Sequence, residues 1–171
     1  MLIAHSVLLA IFAIGLPVSG DQVVYKYDAL GRLSHACTAS ASQGERTDYQ
    51  FDAASNRTNY LHIQTALTIE AGSSVASPDG RFHLTMQTDG NLVHYGPTGA
   101  LWGSNTVGSG ASVASFQPDG NLVLYRSDGV PVWSTGTSAY LCANMSIQND
   151  GNVVIVNMEG VPVWATNTGG H

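Results

Sequence analysis

Residues 87–95 read QTDGNLVHY, residues 117–125 read QPDGNLVLY and residues 148–156 read QNDGNVVIV. The three stretches share the pattern Q-x-D-G-N-x-V. A tryptophan follows each stretch, and successive tryptophans, Trp102, Trp133 and Trp164, are 31 residues apart. A repeat of this length, with a glycine turn in each copy and no helical periodicity, predicts three copies of one β unit around a shared axis.

The turn of the second unit predicts which side chains share a face. Pro118 suits the second position of a type I turn and Gly120 the left-handed position that follows, so we expect a three-residue hairpin loop with a G1 bulge. Side chains alternate between the faces of a strand. The outward row of this unit, called the second row, is then Gln117, Asp119, Asn121, Val123 and Tyr125. The inward side chains are Phe116, Leu122 and Leu124.

The same alternation applies to the other two units. The first row is Gln87, Asp89, Asn91, Val93 and Tyr95. The third row is Gln148, Asp150, Asn152 and Val154, followed by Val156 where the other rows have tyrosine. The inward side chains are Met86 and Leu92 in the first unit and Ile147, Val153 and Ile155 in the third, with His94 as the polar exception.

The chemistry of a row suits a neutral polyol. It offers a carboxylate acceptor, two amides that both donate and accept, and a phenol. A small aliphatic side chain sits among them and can contact the C–H face of a sugar. The residues around the rows carry little charge, which favours an uncharged ligand.

The first and second rows resemble the QxDxNxVxY signature of bulb-type (monocot) mannose-binding lectins. The resemblance covers residues 65–171, including WATNTG at residues 164–169. It implies an all-β, β-prism II fold with three four-stranded antiparallel sheets around a pseudo-threefold axis, and with the tryptophans packed centrally.

The resemblance also implies how each row side chain acts, without metal or other cofactor. The Asp and Asn of a row would bind the 2-hydroxyl of mannose, the Gln its 3-hydroxyl and the Tyr its 4-hydroxyl, while the Val makes the apolar contact. The third row lacks the tyrosine, so we expect it to be weakened. Plant members commonly have a Cys within the first motif, where this chain has Gly90.

Composition excludes several classes of protein. The chain has 171 residues, of which 44% are apolar and 11% charged, and its net charge is −6. The apolar fraction is too high for a disordered chain. Six basic residues against twelve acidic ones argue against nucleic-acid binding. An enzyme is not expected, because the histidines show no metal-ligand spacing and no row carries the paired carboxylates of a glycosidase.

The first segment predicts export. Residues 1–20 carry no Lys, Arg, Asp or Glu and contain an apolar run from Val7 to Leu16, which is too short to span a bilayer. We expect a signal peptide cleaved near Gly20 and a secreted, periplasmic or extracellular product, with an uncleaved membrane anchor as the alternative. No later stretch is apolar enough to span a membrane.

Residues 21–64 form a separate segment richer in charge. Residues 25–33 read YKYDALGRL and residues 49–58 read YQFDAASNRT, and each pattern predicts a β-hairpin. The pair resembles the YD repeats of Rhs-type shell proteins. Two copies are too few to build a shell, so we expect a short hairpin segment resting on residues 65–171.

Several alternatives stay open. Cys37 and Cys142 lie 105 residues apart, and their spacing requires no disulfide, so we expect Cys142 to be a small buried residue. The rows would recognise mannose-type glycans or surface polysaccharide, alone or in a homodimer. The chain would otherwise be a lectin-like bacteriocin or interaction protein, or a β-prism scaffold that has lost sugar binding.

Overall fold

The computed structural model describes residues 22–39, 44–54, 56–64 and 67–171. The predicted signal peptide lies outside these residues. Within them, every regular element is a β-strand. The strands are β1 (Gln22–Tyr27), β2 (Leu33–Ala39), β3 (Gly44–Phe51), β4 (Arg57–Gln64), β5 (Leu67–Glu70), β6 (Ser74–Ala76), β7 (His83–Met86), β8 (Leu92–Gly96), β9 (Gly99–Gly103), β10 (Ala111–Phe116), β11 (Leu122–Arg126), β12 (Pro131–Ser134), β13 (Asn144–Ile147), β14 (Val153–Val156) and β15 (Pro162–Ala165).

The three repeat units form three antiparallel sheets, as predicted. The first sheet has the order β6-β7-β8-β9, the second β12-β11-β10-β5 and the third β13-β14-β15. Strand β5 precedes the first unit in sequence but pairs with β10 of the second unit.

The prediction of three four-stranded sheets is wrong for the third sheet, which has three strands. The described residues before β13, numbers 138–142, are folded into turns. No described strand therefore pairs with the outer edge of β13.

The inward side chains of the three units meet in one apolar core, as the sequence predicts. Nearly all have no more than 3% of their surface exposed, and Ile147 has 8%. The three tryptophan rings pack edge to face against one another, with centroids 5.6 to 6.4 Å apart. The sheets therefore surround a central cluster of indoles, and each row faces away from it.

His94 is fully buried in this core. Its Nε2 lies 3.0 Å from the carbonyl oxygen of Gly151 in the turn of the third unit, and its ring stacks on Phe82 at a centroid distance of 6.0 Å. Its Nδ1 has no hydrogen-bond partner among the described residues. Burial lowers the pKa of His94, and the main-chain groups of Gly151 and His83 partly oppose this lowering.

This burial predicts acid sensitivity of the fold. The unfolded chain takes up a proton on His94 near the ordinary pKa of 6.5, whereas the folded chain resists protonation until lower pH. We expect the free energy of unfolding to fall as pH drops below that value, by up to about 1.4 kcal/mol per pH unit for this one proton. Urea unfolding between about pH 5 and pH 8 measures the effect.

The control for this prediction is His94→Leu, because Leu124 holds the corresponding position of the second unit. The variant should lose much less stability on acidification than the natural chain. An equally steep decline in both proteins would show that His94 is not the responsible group.

The two predicted N-terminal hairpins are present. Strands β1 to β4 form one antiparallel sheet in sequence order, with hairpins joining β1 to β2 and β3 to β4. Oδ1 of Asp28 and Oδ1 of Asp52 each accept main-chain N–H groups two and four residues further on. The guanidinium of Arg32 lies 4.5 Å from the ring centroid of Phe51, so the two turns lie side by side.

One face of this N-terminal sheet contacts the third unit. Cys37 of β2 forms a disulfide with Cys142, and their Cα atoms are 6.3 Å apart. Lys26 of β1 forms an ion pair with Glu159, in the turn between β14 and β15. A small apolar cluster surrounds the disulfide, consisting of Val24, Leu141 and Met158. Cys142 is buried, as expected, and the disulfide that the sequence left open is formed.

Candidate sugar-binding rows

The turn that begins the second row has the predicted geometry. The N–H of Gln117 donates to the carbonyl of Asn121 at 2.8 Å, and the N–H of Gly120 donates to the carbonyl of Gln117 at 2.9 Å. The strand register places Phe116 opposite Leu122, as a three-residue loop requires. The first and third rows repeat both turn hydrogen bonds, so the polar side chains of each row share one outward face.

The aspartate of each row uses one oxygen for the turn and leaves the other available. Oδ1 of Asp119 accepts the N–H of Asn121 at 2.9 Å, and Asp89 and Asp150 make the corresponding bond at 3.0 Å. Within the described part of the chain, Oδ2 of each aspartate accepts no hydrogen bond. Each row therefore offers one carboxylate oxygen to a ligand.

The asparagine of each row is anchored by its own fold. Oδ1 of Asn121 accepts the hydroxyl of Thr135 at 3.0 Å and the N–H of Thr137 at 3.1 Å. The amide oxygens of the other two asparagines accept matching bonds, from Ser104 and Thr106 in the first unit and from Thr166 and Thr168 in the third. Because Oδ1 is occupied, Nδ2 is the group that each asparagine can offer as a donor.

The sequence contained a signal for these anchors that our interpretation missed. Each unit continues from its tryptophan as W-x-[S/T]-x-T, at residues 102–106, 133–137 and 164–168. The two hydroxyl residues follow the row at the same spacing each time. They are supporting residues, and they hold the asparagine so that its Nδ2 faces outward.

The glutamine and tyrosine of the first two rows are bonded to each other. Nε2 of Gln117 donates to the phenol oxygen of Tyr125 at 2.9 Å, and Gln87 donates to Tyr95 at 2.7 Å. The bond leaves the amide oxygen and the phenol proton for a ligand. Val156 removes this partner from the third row, where Gln148 is exposed.

The valines of the rows contribute less surface than the sequence suggests. Val123 is 4% exposed, and the valines of the other two rows are 5% and 6% exposed. They form the floor beneath the polar side chains rather than a broad apolar contact. Around the second row the surface forms an open groove of about 400 Å³, lined by Gln117, Asn121, Val123, Tyr125, Pro131, Trp133 and Ser134.

No protein-family model matches the chain. The B-type lectin plumieribetin from Scorpaena plumieri is 40% identical to it over 84 residues, which make up 49% of this chain and 72% of plumieribetin. The chain belongs to the bulb-type (B-type) lectin family.

Two solved structures resemble this lectin. A lectin from Marasmius oreades has a TM-score of 0.55 and 34% identity, covering 61% of this chain and 91% of that one. A monomeric monocot mannose-binding lectin from Gastrodia elata has a TM-score of 0.53 and 35% identity, covering 61% of this chain and 98% of that one. The β-prism II fold predicted from the sequence is confirmed. The chain has the carbohydrate-binding fold of lectins, which are binding proteins rather than enzymes.

Two other kinds of site are absent from the described part of this lectin. It contains no group of three or more His, Cys, Asp or Glu side chains arranged to hold a metal ion. It also contains no helix long and apolar enough to cross a membrane. The resemblance of residues 21–64 to YD repeats stays a prediction.

Proposed function

We propose that this lectin is an exported protein that recognises mannose, or glycans containing mannose, through its first and second rows and without a metal ion. The arrangement in the second row carries the proposal. Asp119 offers one free carboxylate oxygen, Asn121 offers one outward N–H group, and the bonded pair of Gln117 and Tyr125 offers an amide oxygen and a phenol proton. Neutral hydroxyls need this mixture of donors and acceptors.

The third row is a weakened site in this proposal. Gln148 has no tyrosine to orient its amide, and the phenol proton is replaced by a methyl group of Val156. One lost hydrogen bond between neutral groups corresponds to about 1 kcal/mol, or about fivefold in affinity. A sugar hydroxyl left without a partner adds to that cost.

Each site should bind a single sugar weakly. A shallow groove with four or five hydrogen bonds corresponds to a dissociation constant of roughly 1 mM, or about −4 kcal/mol. Linking the first and second rows on one branched glycan, or linking two copies of the chain, raises the overall affinity by orders of magnitude. Homodimer formation stays a prediction, and light scattering during gel filtration would test it.

The disulfide supports the proposed export. Disulfides persist in oxidising compartments and are rare in the cytosol of most cells. The bond between Cys37 and Cys142 joins two parts of the chain 105 residues apart, so it is a structural bond that an exported protein would retain.

Asn121→Asp is expected to disable the second row while keeping its fold. The new carboxylate still accepts the bonds from Thr135 and Thr137, but it replaces the Nδ2 donor with a second acceptor beside Asp119. A single sugar hydroxyl cannot donate its one proton to both carboxylates. We expect at least about a tenfold loss of affinity for methyl mannoside at this row.

The measurement is a titration followed by NMR, because the side-chain amide signals of Gln87, Gln117 and Gln148 report each row separately and are retained in all three variants. Asn91→Asp should disable only the first row, and Asn152→Asp should change total binding little. Aspartate is a cleaner substitution than alanine, which would also remove the two bonds accepted by Oδ1. Equal losses from all three variants would contradict the ranking of the rows, and no signal change with any mannoside would favour a scaffold without sugar binding.

A further inference from the structure

The three rows differ at one outward position that the repeated motif does not include. The last strand of each unit places a residue directly opposite the row valine, and paired residues point to the same face. Val123 is opposite Ser134, Val93 is opposite Gly103, and Val154 is opposite Ala165. Only the second of the three rows therefore has a hydroxyl group at this position.

The position lies directly beside the asparagine donor. A Cβ atom built on Gly103 would lie 3.4 Å from Nδ2 of Asn91 and 3.9 Å from Cγ2 of Val93. The corresponding side chain in the second unit is Ser134, which is exposed and lines the groove with Asn121. Its hydroxyl forms no hydrogen bond within the described part of the chain, so it is available to a ligand.

We infer that Ser134 is a further sugar-contacting residue, which makes the second row the tightest of the three. The ligand is a neutral glycan in which the hydroxyl bound by Asn121 has a second oxygen substituent within about 3 Å, as vicinal hydroxyls of a pyranose do. Asn121 binds the first oxygen and Ser134 binds its neighbour. The inference rests on the proposed function of the rows and adds a residue outside their motif.

The test compares reciprocal substitutions. Ser134→Ala should weaken methyl mannoside binding at the second row about fivefold and leave the first row unchanged. Gly103→Ser should strengthen the first row by a similar factor, because the main chain at Gly103 is not in the left-handed region and the added Cβ makes only ordinary contacts. Ser127→Ala, in the turn between β11 and β12, is the matched control and should change neither row.

Monodeoxy mannosides separate direct contact from an indirect effect. If Ser134 binds one sugar hydroxyl, one monodeoxy mannoside lacks that hydroxyl. Ser134→Ala should then leave the affinity for this one sugar unchanged. An equal loss for every deoxy sugar, or no loss for methyl mannoside, would overturn the inference while the rows still bind. Absence of binding at both rows of the natural protein would instead refute the proposed function, and thermal unfolding of each variant shows whether the fold is intact.

Discussion

Removing the disulfide is expected to lower the free energy of unfolding by about 4 to 5 kcal/mol, the loss that chain entropy predicts for a loop of about 100 residues. Cys37 and Cys142 are separated by 105 residues, so the bond restricts the unfolded chain strongly. The variant is Cys37→Ala with Cys142→Ala, because both side chains are buried and alanine leaves no unpaired polar group. Urea unfolding followed by tryptophan fluorescence measures the loss.

The backbone at Cys142 supplies a matched variant. Its φ is +58°, in the left-handed region, and Gly110 before the second sheet has a φ of +78°. A residue with a side chain is strained there by about 1 kcal/mol relative to glycine. Cys37→Ala with Cys142→Gly should therefore be about 1 kcal/mol more stable than the double alanine variant.

Two outcomes would contradict this prediction. A loss below about 1 kcal/mol would show that the disulfide does little to restrict the unfolded chain. Equal stability of the alanine and glycine variants would show that Cys142 is not strained. Hydrogen exchange of β1 to β4 should also show whether the N-terminal sheet still docks through Lys26 and the apolar cluster.

The disulfide could not be predicted from the sequence, for a physical reason. Two cysteines 105 residues apart carry no spacing signal, because their approach depends on how the N-terminal sheet docks. The repeat supplies no signal either, because Cys142 and Ala111 both lie six residues before the glutamine of their rows. Gly110, which has the left-handed backbone in the second unit, lies one residue earlier.

The rows themselves could be predicted because local rules determine them. The turn at Pro118 and Gly120 sets the register, and strict alternation then assigns every side chain to a face. The inward set is buried as a result, including His94. The anchoring of Asn121 by Thr135 and Thr137 was not predicted, because it depends on contacts with the next strand rather than on alternation within the hairpin.

Strand partners between units were the part of the fold that periodicity could not supply. Strand β5 precedes the first unit but pairs with β10 in the second sheet. The outer edge of β13 has no such partner among the described residues. The repeat predicts what each unit contains, whereas packing around the axis decides which unit receives a strand from outside.

Gly120→Ala is expected to destabilise the protein by about 3 kcal/mol or more, by combining backbone strain with a main-chain clash. Gly120 has a φ of +91°, and an added Cβ would lie 2.2 Å from the carbonyl oxygen of Tyr140. A carbonyl cannot rotate away as a side chain can, so residues 137–143 would have to move. Because Gly120 lies between Asp119 and Asn121, the second row should also lose its sugar.

Gly129→Ala separates the two causes. Gly129 has a φ of +81° but nothing lies within 4 Å of an added Cβ, so only the backbone strain remains, at about 1 kcal/mol. Thermal or urea unfolding of both variants gives the difference that belongs to the contact with Tyr140. If the two variants lost equal stability, residues 137–143 would not lie close to the turn. A larger loss at Gly120 would mean that the geometry of the second row depends on close packing against the next unit as well as on its own turn.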